Sequence, residues 1–124
     1  MYSSHVLDHF EHPRNSGFLD HADASVQLAN PVCGDVLKFT ARVIEGRISE
    51  IKFLAQGCVP MIACASALSE LVSGKTLAQA SSISREELEQ CLGGLPQASA
   101  HASHLALEAL GALIKGLNST TGLE

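Results

Sequence analysis

The sequence predicts an α+β fold: a three-stranded antiparallel sheet with helices packed on one face and ligand loops at one end. The hydrophobic periodicity indicates this, because it is helical at the start, alternates every second residue in the middle, and becomes helical again for the second half. At 124 residues and 46% apolar composition, the chain is long enough for one domain, 1–124, with a core of its own.

The first helix is predicted over residues 2–12. Pro13 ends it, because the residue before a proline is disfavoured in the α conformation. Its apolar residues gather on one side, which we expect to face the core: Tyr2, Val6, Leu7 and Phe10. The histidines at positions 5, 9 and 12 lie off that side, so we expect them on a solvated face.

The sheet is predicted from alternation in the middle of the chain. Residues 14–24 are polar and contain glycine, which favours a loop. Apolar and polar residues then alternate over 37–43 and over 51–55, on either side of a turn at 45–47. This pattern predicts an antiparallel hairpin, and residues 26–28 are a candidate third strand.

Three helices are predicted in the second half. An apolar stripe predicts a long helix that begins at Pro60 and ends before Gly74. Ser84 begins a capping-box pattern, which predicts a short helix that stops near Gly93. The last helix is predicted over about 99–117.

The composition excludes several classes of protein. The net charge is −5 and no basic cluster is present, so a nucleic-acid partner is not expected. The apolar runs are too short for a membrane span, and no signal segment opens the chain, so a cytoplasmic protein is expected. In that compartment the four cysteines are expected as free thiols, metal ligands or catalytic groups rather than disulfides.

Four candidate metal ligands lie at junctions between loops and predicted elements: Cys33, Asp35, Cys58 and His101. If three ends of secondary structure meet, these sulfur, carboxylate and imidazole groups suit zinc or iron–sulfur chemistry. Cys58 precedes a core helix, whose dipole is expected to lower its pKa and favour the thiolate. The alternatives are an ordinary turn at 33–35 and a solvated surface histidine at 101.

The other cysteines are expected outside such a site. Cys64 belongs to the apolar stripe of the long helix and is expected as a small core residue. Cys91 closes the short helix and is expected to be structural or incidental. Cys58 as the nucleophile of a hydrolase or transferase is a third alternative, but no histidine and acid or amide follow it at a recognisable catalytic spacing.

Several stretches resemble the iron–sulfur cluster scaffold family, of the IscU and NifU N-terminal domain type. The likeness runs in order over nearly the whole chain, and its parts are Tyr2-Ser3 with Asp8 through Asn15, Cys33-Gly34-Asp35, Gly57-Cys58 with Ile62-Ala63 and Ala65-Ser66, and Leu95-Pro96 with His101, 103–106 and 108–110.

The resemblance implies a scaffold or carrier rather than an enzyme. Such proteins accept sulfur as persulfide from a cysteine desulfurase, take up iron, assemble a transient 2Fe-2S cluster and pass it to apo iron–sulfur proteins. Carried over to this sequence, the ligands are Cys33, Asp35, Cys58 and His101. A carboxylate or imidazole binds the iron of a cluster less strongly than a thiolate, which favours release.

The chain departs from the family pattern at two places. The family's third ligand cysteine is Ala102 here, and an alanine cannot bind iron or carry a persulfide. The alternative is therefore a degenerate member that binds zinc through the same four residues and acts as a desulfurase-docking or regulatory module. The family's chaperone-recognition stretch, Leu-Pro-Pro-Val-Lys, is replaced by residues 95–99, so recognition by that dedicated chaperone is not expected.

Overall fold

The fold runs from one helix through three strands to a group of helices, as the computed structural model describes it for residues 2–30 and 34–120, with side chains to residue 118. The elements are α1 Ser4–Glu11, β1 Ala24–Asn30, β2 Asp35–Ile44, β3 Arg47–Gln56, α2 Val59–Val72, α3 Leu77–Ser81, α4 Arg85–Cys91, a 3-10 turn Gln97–Ser99 and α5 Ala100–Thr120. The predicted α+β class is confirmed. In the described ranges, no helix combines the length and apolarity needed to cross a membrane.

The three strands form one antiparallel sheet in the order β1-β2-β3. A tight turn joins β2 to β3, in which Glu45 and Gly46 both have positive φ, 54° and 75°. Two such residues match the twist of a two-residue hairpin. The hairpin places Val36 opposite Gln56, so the start of β2 lies beside the end of β3.

Helices α2 and α5 pack on one face of this sheet. That face supplies Leu37, Phe39, Ala41, Ile51 and Phe53, all buried. Helix α2 is buried on nearly every side, including its serines, because α1, α4, α5 and β3 surround it. The single apolar stripe predicted for this helix is therefore too narrow a description of it.

The buried face of α1 differs from the predicted one. Val6 is fully buried, but Leu7 and Phe10 are 43% and 37% exposed, and His9 is buried in their place. The His9 Nδ1 atom lies 2.8 Å from the Ser66 hydroxyl of α2. The expectation of a solvated His9 is therefore wrong, whereas the other two histidines of this region are exposed as predicted.

The predicted loop before the sheet runs alongside β3. The Phe53 N–H donates to the Asn15 carbonyl at 2.9 Å, and the Gly17 N–H donates to the Phe53 carbonyl at 2.8 Å. Near the start of the same strand, the Ile48 N–H donates to the Lys75 carbonyl at 2.9 Å. The outer edge of β3 is thus paired with two irregular segments, which protects it from pairing with another chain.

Candidate metal centre

Three ends of secondary structure meet at one end of the sheet. Asp35 is the first residue of β2, Cys58 is the N-cap of α2, and His101 lies in the first turn of α5. The hairpin register brings Asp35 and Cys58 together, and α5 crosses the sheet so that its first turn lies over them. The structure therefore brings three of the four predicted ligands into one cluster.

The donor atoms of this cluster are spaced for one ion. The Asp35 Oδ2 atom lies 3.8 Å from Cys58 Sγ and 3.5 Å from His101 Nε2, and Cys58 Sγ lies 3.9 Å from His101 Nε2. Two tetrahedral bonds of zinc-like length place their donor atoms about 3.3–3.6 Å apart. Small side-chain adjustments would therefore suffice for all three groups to bind one tetrahedral metal.

The Asp35 carboxylate is the buried part of the cluster. Its side chain is 2% exposed, and its Oδ1 atom accepts a hydrogen bond from the Cys58 N–H at 3.3 Å. Gly57 makes this approach geometrically feasible, because its φ is +149° and an added Cβ atom would lie 2.1 Å from Asp35 Oδ1. Sequence reasoning assigned Gly57 no role of its own; the signal for it was its place directly before Cys58.

The Cys58 thiol does not have the lowered pKa that its helix position predicts. Burial raises its pKa, and the negative charge of Asp35 raises it further. The backbone N–H groups of Met61 and of Cys58 itself act in the opposite direction, as expected at a helix N-terminus, but they do not outweigh the other two effects. The expectation of a favoured thiolate is wrong, because the sulfur is partly buried and lies beside the Asp35 carboxylate.

The remaining cysteines and Ala102 differ in where they lie relative to the cluster. Cys33 lies outside the described residues, so its candidacy stays a prediction. Ala102 is fully buried next to His101 on the chain. Cys64 is also fully buried, and burial raises its pKa to about 12, which confirms it as a core residue. Cys91 is exposed at the end of α4, apart from the cluster.

Comparison with known proteins gives matches over most of the chain. Residues 1–122 match the family described as the NifU-like N terminal domain. Iron-sulfur cluster assembly scaffold protein IscU 1 of Archaeoglobus fulgidus is 44% identical over 110 residues, which cover 89% of this chain and 72% of that protein. The scaffold protein IscU of Haemophilus influenzae is 38% identical, over 98% of both chains.

A solved structure shows the same fold. The N-terminal part of a nitrogen-fixing NifU-like protein from Brucella abortus superposes with a TM-score of 0.77 over 94% of each chain, at 16% identity. At that identity the likeness concerns the fold alone. It agrees with the sheet and helix arrangement described above.

Proposed function

The chain belongs to the family of NifU-like N-terminal domains, and from this we propose that it is a scaffold for the assembly of iron–sulfur clusters. The family predicted from sequence resemblance is thereby confirmed. The relatives that match over most of their length are named as assembly scaffold proteins, not as enzymes. The proposed role is accordingly to hold and hand on a cluster, which is its cargo.

The meeting of Asp35, Cys58 and His101 is the observation that carries the proposal. One sulfur, one nitrogen and one carboxylate oxygen lie within 4.8 Å of one another, and the iron of such clusters is held by cysteine thiolates, with histidine in place of cysteine in some of them. We include Cys33 as a second thiol ligand, because it precedes Asp35 by two positions and the family motif places a ligand there. These four residues are the proposed cluster ligands.

The proposed partners are those that the resemblance to the scaffold family implies. We propose that the sulfur arrives as persulfide from a cysteine desulfurase and is reduced to sulfide by electrons from ferrous iron and from a thiol or other external reductant as a 2Fe-2S cluster forms. Apo iron–sulfur proteins then receive that cluster. The proposed compartment is the cytoplasm, where thiols remain reduced. Within the proposed site, Cys58 is a thiol that can carry sulfur.

The mixed donor set supports transient binding. Carboxylate and imidazole groups bind iron of a cluster less strongly than thiolates do. The His101 side chain is 33% exposed, so one ligand lies at the surface, where an incoming acceptor thiol can displace it. Asp35, by contrast, is buried and fixed by its hydrogen bond to the Cys58 backbone, and it stays in place during exchange.

A zinc-binding module is the second candidate, and Ala102 favours it. The family's third cysteine is an alanine here, and that alanine is fully buried. The chain therefore lacks one sulfur acceptor but keeps the donors for a single tetrahedral zinc ion. In this function the protein would dock on the desulfurase and regulate it without assembling clusters.

Anaerobic reconstitution tests the proposal. The purified chain is incubated with ferrous iron, cysteine, a cysteine desulfurase and a thiol reductant that supplies the remaining electrons for reducing persulfide sulfur to sulfide, and the visible spectrum and Mössbauer spectrum are recorded. We expect an oxygen-sensitive 2Fe-2S chromophore that is lost in Cys58→Ser and in Cys33→Ser. Cys91→Ser is the matched control, since Cys91 is exposed outside the cluster, and it should reconstitute like the parent chain.

The two candidates give different outcomes. One zinc per chain by elemental analysis, with no chromophore after reconstitution, would replace the scaffold function by the zinc module. In that case Ala102→Cys, which restores the missing thiol, should give the chromophore. A chromophore of unchanged yield in Cys58→Ser would show that the cluster binds elsewhere.

A further inference from the structure

A hydrogen bond joins α4 to the first turn of α5, directly behind the candidate site. The Ser103 hydroxyl lies 3.0 Å from Glu89 Oε2 on α4 and 3.0 Å from the Ala100 carbonyl. Ser103 is fully buried. Because a carboxylate is a stronger acceptor than a carbonyl, the Ser103 hydroxyl is best described as donating to Glu89. This hydrogen bond therefore joins two different helices.

Glu89 is itself held in position. The Arg85 Nε atom lies 3.6 Å from Glu89 Oε2, one helical turn away, and the Glu89 side chain is only 28% exposed. Its charge also contributes to the raised pKa of Cys64. The carboxylate is therefore held by two groups, Arg85 on α4 and Ser103 on α5.

The Ser103–Glu89 bond holds the first turn of α5 from the side. That turn follows a single 3-10 turn, Gln97–Ser99, whose Gln97 carbonyl accepts the Ala100 N–H, and the first N–H groups of any helix have no partner within the helix itself. The His101 ring is partly exposed and contacts Asp35 and Cys58, the groups with which it would bind the metal. The position of the ring relative to those two groups is set by where the first turn of α5 is held.

We propose that Glu89, acting through Ser103, is a positioning residue for His101; this rests on the metal site in the proposed function. Ser103 lies two residues after His101, so the two side chains leave the helix in different directions, about 200° apart. Ser103 fixes the inner side of the turn while His101 faces the site.

The distance of the His101 ring from the helix axis explains why a single hydrogen bond affects the site. Side-chain atoms lie about 5–6 Å from a helix axis, so a rotation of roughly 20° moves the imidazole by about 2 Å. That is enough to break a metal–nitrogen bond. Glu89 thus acts on the geometry of the site without touching the metal.

Cobalt titration tests this proposal, with Co²⁺ as the probe and its visible bands as the readout. We expect Glu89→Ala and Ser103→Ala each to raise the Kd for Co²⁺ about 3- to 10-fold, somewhat less than direct outer-sphere changes. The double variant should be no weaker than the weaker single variant, because both changes remove the same bond. Glu89→Gln keeps an acceptor oxygen and should stay within about twofold of the parent chain.

Glu86→Ala is the matched control, since Glu86 is exposed on the same helix and loses the same charge. Unchanged Kd values in Glu89→Ala and Ser103→Ala would overturn the proposal, even if their thermal midpoints fall. So would a Glu89→Gln variant as weak as Glu89→Ala, which would indicate a charge effect. Should Ser103→Ala fail to fold, the two Glu89 variants decide alone.

Co²⁺ binding by the parent chain distinguishes a failure of this proposal from a failure of the proposed function. If it binds Co²⁺ with a thiolate charge-transfer band that Cys58→Ser removes, the metal site exists, and the Glu89 variants test positioning. If the parent chain shows no such band, the metal site itself is refuted, and with it both proposals.

Discussion

At Gly57 the backbone passes so close to the Asp35 carboxylate that no side chain fits between them. Its φ of +149° lies in a region that residues with a Cβ atom rarely adopt, and the Cβ itself would overlap Asp35 Oδ1 at 2.1 Å. A substitution at Gly57 would therefore have two effects at once, which are strain in the backbone and displacement of the Asp35 carboxylate. They can be separated, because another glycine of the chain shows only the first.

Gly57→Ala is predicted to damage the site more than the fold. We expect the free energy of unfolding to fall by about 1–3 kcal/mol from backbone strain, and Co²⁺ affinity to fall at least tenfold because the Asp35 carboxylate must move away. Gly46→Ala is the control, since Gly46 has a φ of +75° and open space around it. Urea unfolding and cobalt titration measure the two effects, and equal cobalt affinity in both variants would contradict the prediction.

Single residues show where sequence reasoning succeeds and where it fails. Cys64 could be identified as core because its helical spacing is local information. The pKa of Cys58 could not be obtained in the same way, because the effect of the helix is local but the burial and the charge of Asp35 come from contacts 23 residues away in sequence. The position of the missing ligand, Ala102, could be identified only by comparison with the family pattern, since an alanine side chain has no metal-binding group.

Helix α1 and the segment that follows it are attached to α2 by polar groups, in addition to the buried Val6 side chain. The Arg14 N–H donates to the Ser66 hydroxyl at 2.9 Å, and the same hydroxyl lies 2.8 Å from His9 Nδ1. The serine proton is therefore available to a neutral His9. The Asn15 amide donates to Ser69 at 3.1 Å, one turn further along α2. A hydrophobicity pattern does not report polar contacts of this kind, which is why the predicted buried face of α1 was wrong.

The burial of His9 predicts a pH-dependent stability. Burial lowers its pKa, and the charges of Arg14 and His5 act in the same direction, while Glu70 and Asp8 oppose them. Below about pH 6.5 the unfolded histidine binds a proton that the folded one resists, so the free energy of unfolding falls as the pH drops through that range. Above that range, His9 is neutral in both states and this dependence ends.

His9→Asn is expected to reduce the difference in unfolding free energy between pH 7.5 and pH 5.5. The measurement is urea unfolding at both pH values. His12→Asn is the control, because His12 is exposed at the end of the same helix, and it should keep the parent difference. A parent-like difference in His9→Asn would show that His9 does not carry the effect.

The short helices show the limits of periodicity. The capping box of α4, formed by Ser84 and Glu87, was predicted from the sequence. Helix α3 has the same device in Thr76 and Gln79, but it was not predicted, because a helix of five residues is too short to show a period. The strands were predicted too short for a related reason: their ends pair through the backbone, and the alternation of side chains does not report that pairing.

Helix α5 connects the two ends of the molecule. It carries His101 in its first turn, crosses β1 and β2, and near its far end Gly116 approaches Ala24 so closely that an added Cβ would lie 3.3 Å from the Ala24 Cβ atom. Leu113 lies along this path and is 1% exposed. The packing of α5 on the sheet thus contributes to the stability of the whole fold, and it places the first turn over the site.

Leu113→Ala is predicted to lower the free energy of unfolding by about 2–5 kcal/mol, through lost burial and the cavity left behind. Leu54→Ala is the control, because Leu54 is 44% exposed on the sheet and should change stability by only about 0.5 kcal/mol. Denaturant unfolding of both variants gives the comparison. Similar losses in the two would mean that α5 packing is not a main source of stability.

The site was predictable as a list of residues at one end of the sheet, but not as a set of contacts between them. Cys58 and His101 could be proposed from donor chemistry and from their positions at element ends. Their meeting with Asp35 depends on the hairpin register and on where α5 crosses, which are properties of the whole chain. The hydrogen bond between Glu89 and Ser103 could not be predicted from donor chemistry or from positions at element ends, since neither residue is a candidate metal ligand.

The three clustered donors are far apart along the chain: Asp35 and Cys58 are separated by 23 residues, and Cys58 and His101 by 43. An ion bound by all three would act as a reversible cross-link that closes two long loops. By mass action it would favour the folded chain by about 2.7 kcal/mol at a hundredfold excess over its Kd. Release of such an ion would remove that cross-link, so the chain without it would be less tightly constrained than the loaded chain, and the two forms would present partner proteins with surfaces of different rigidity.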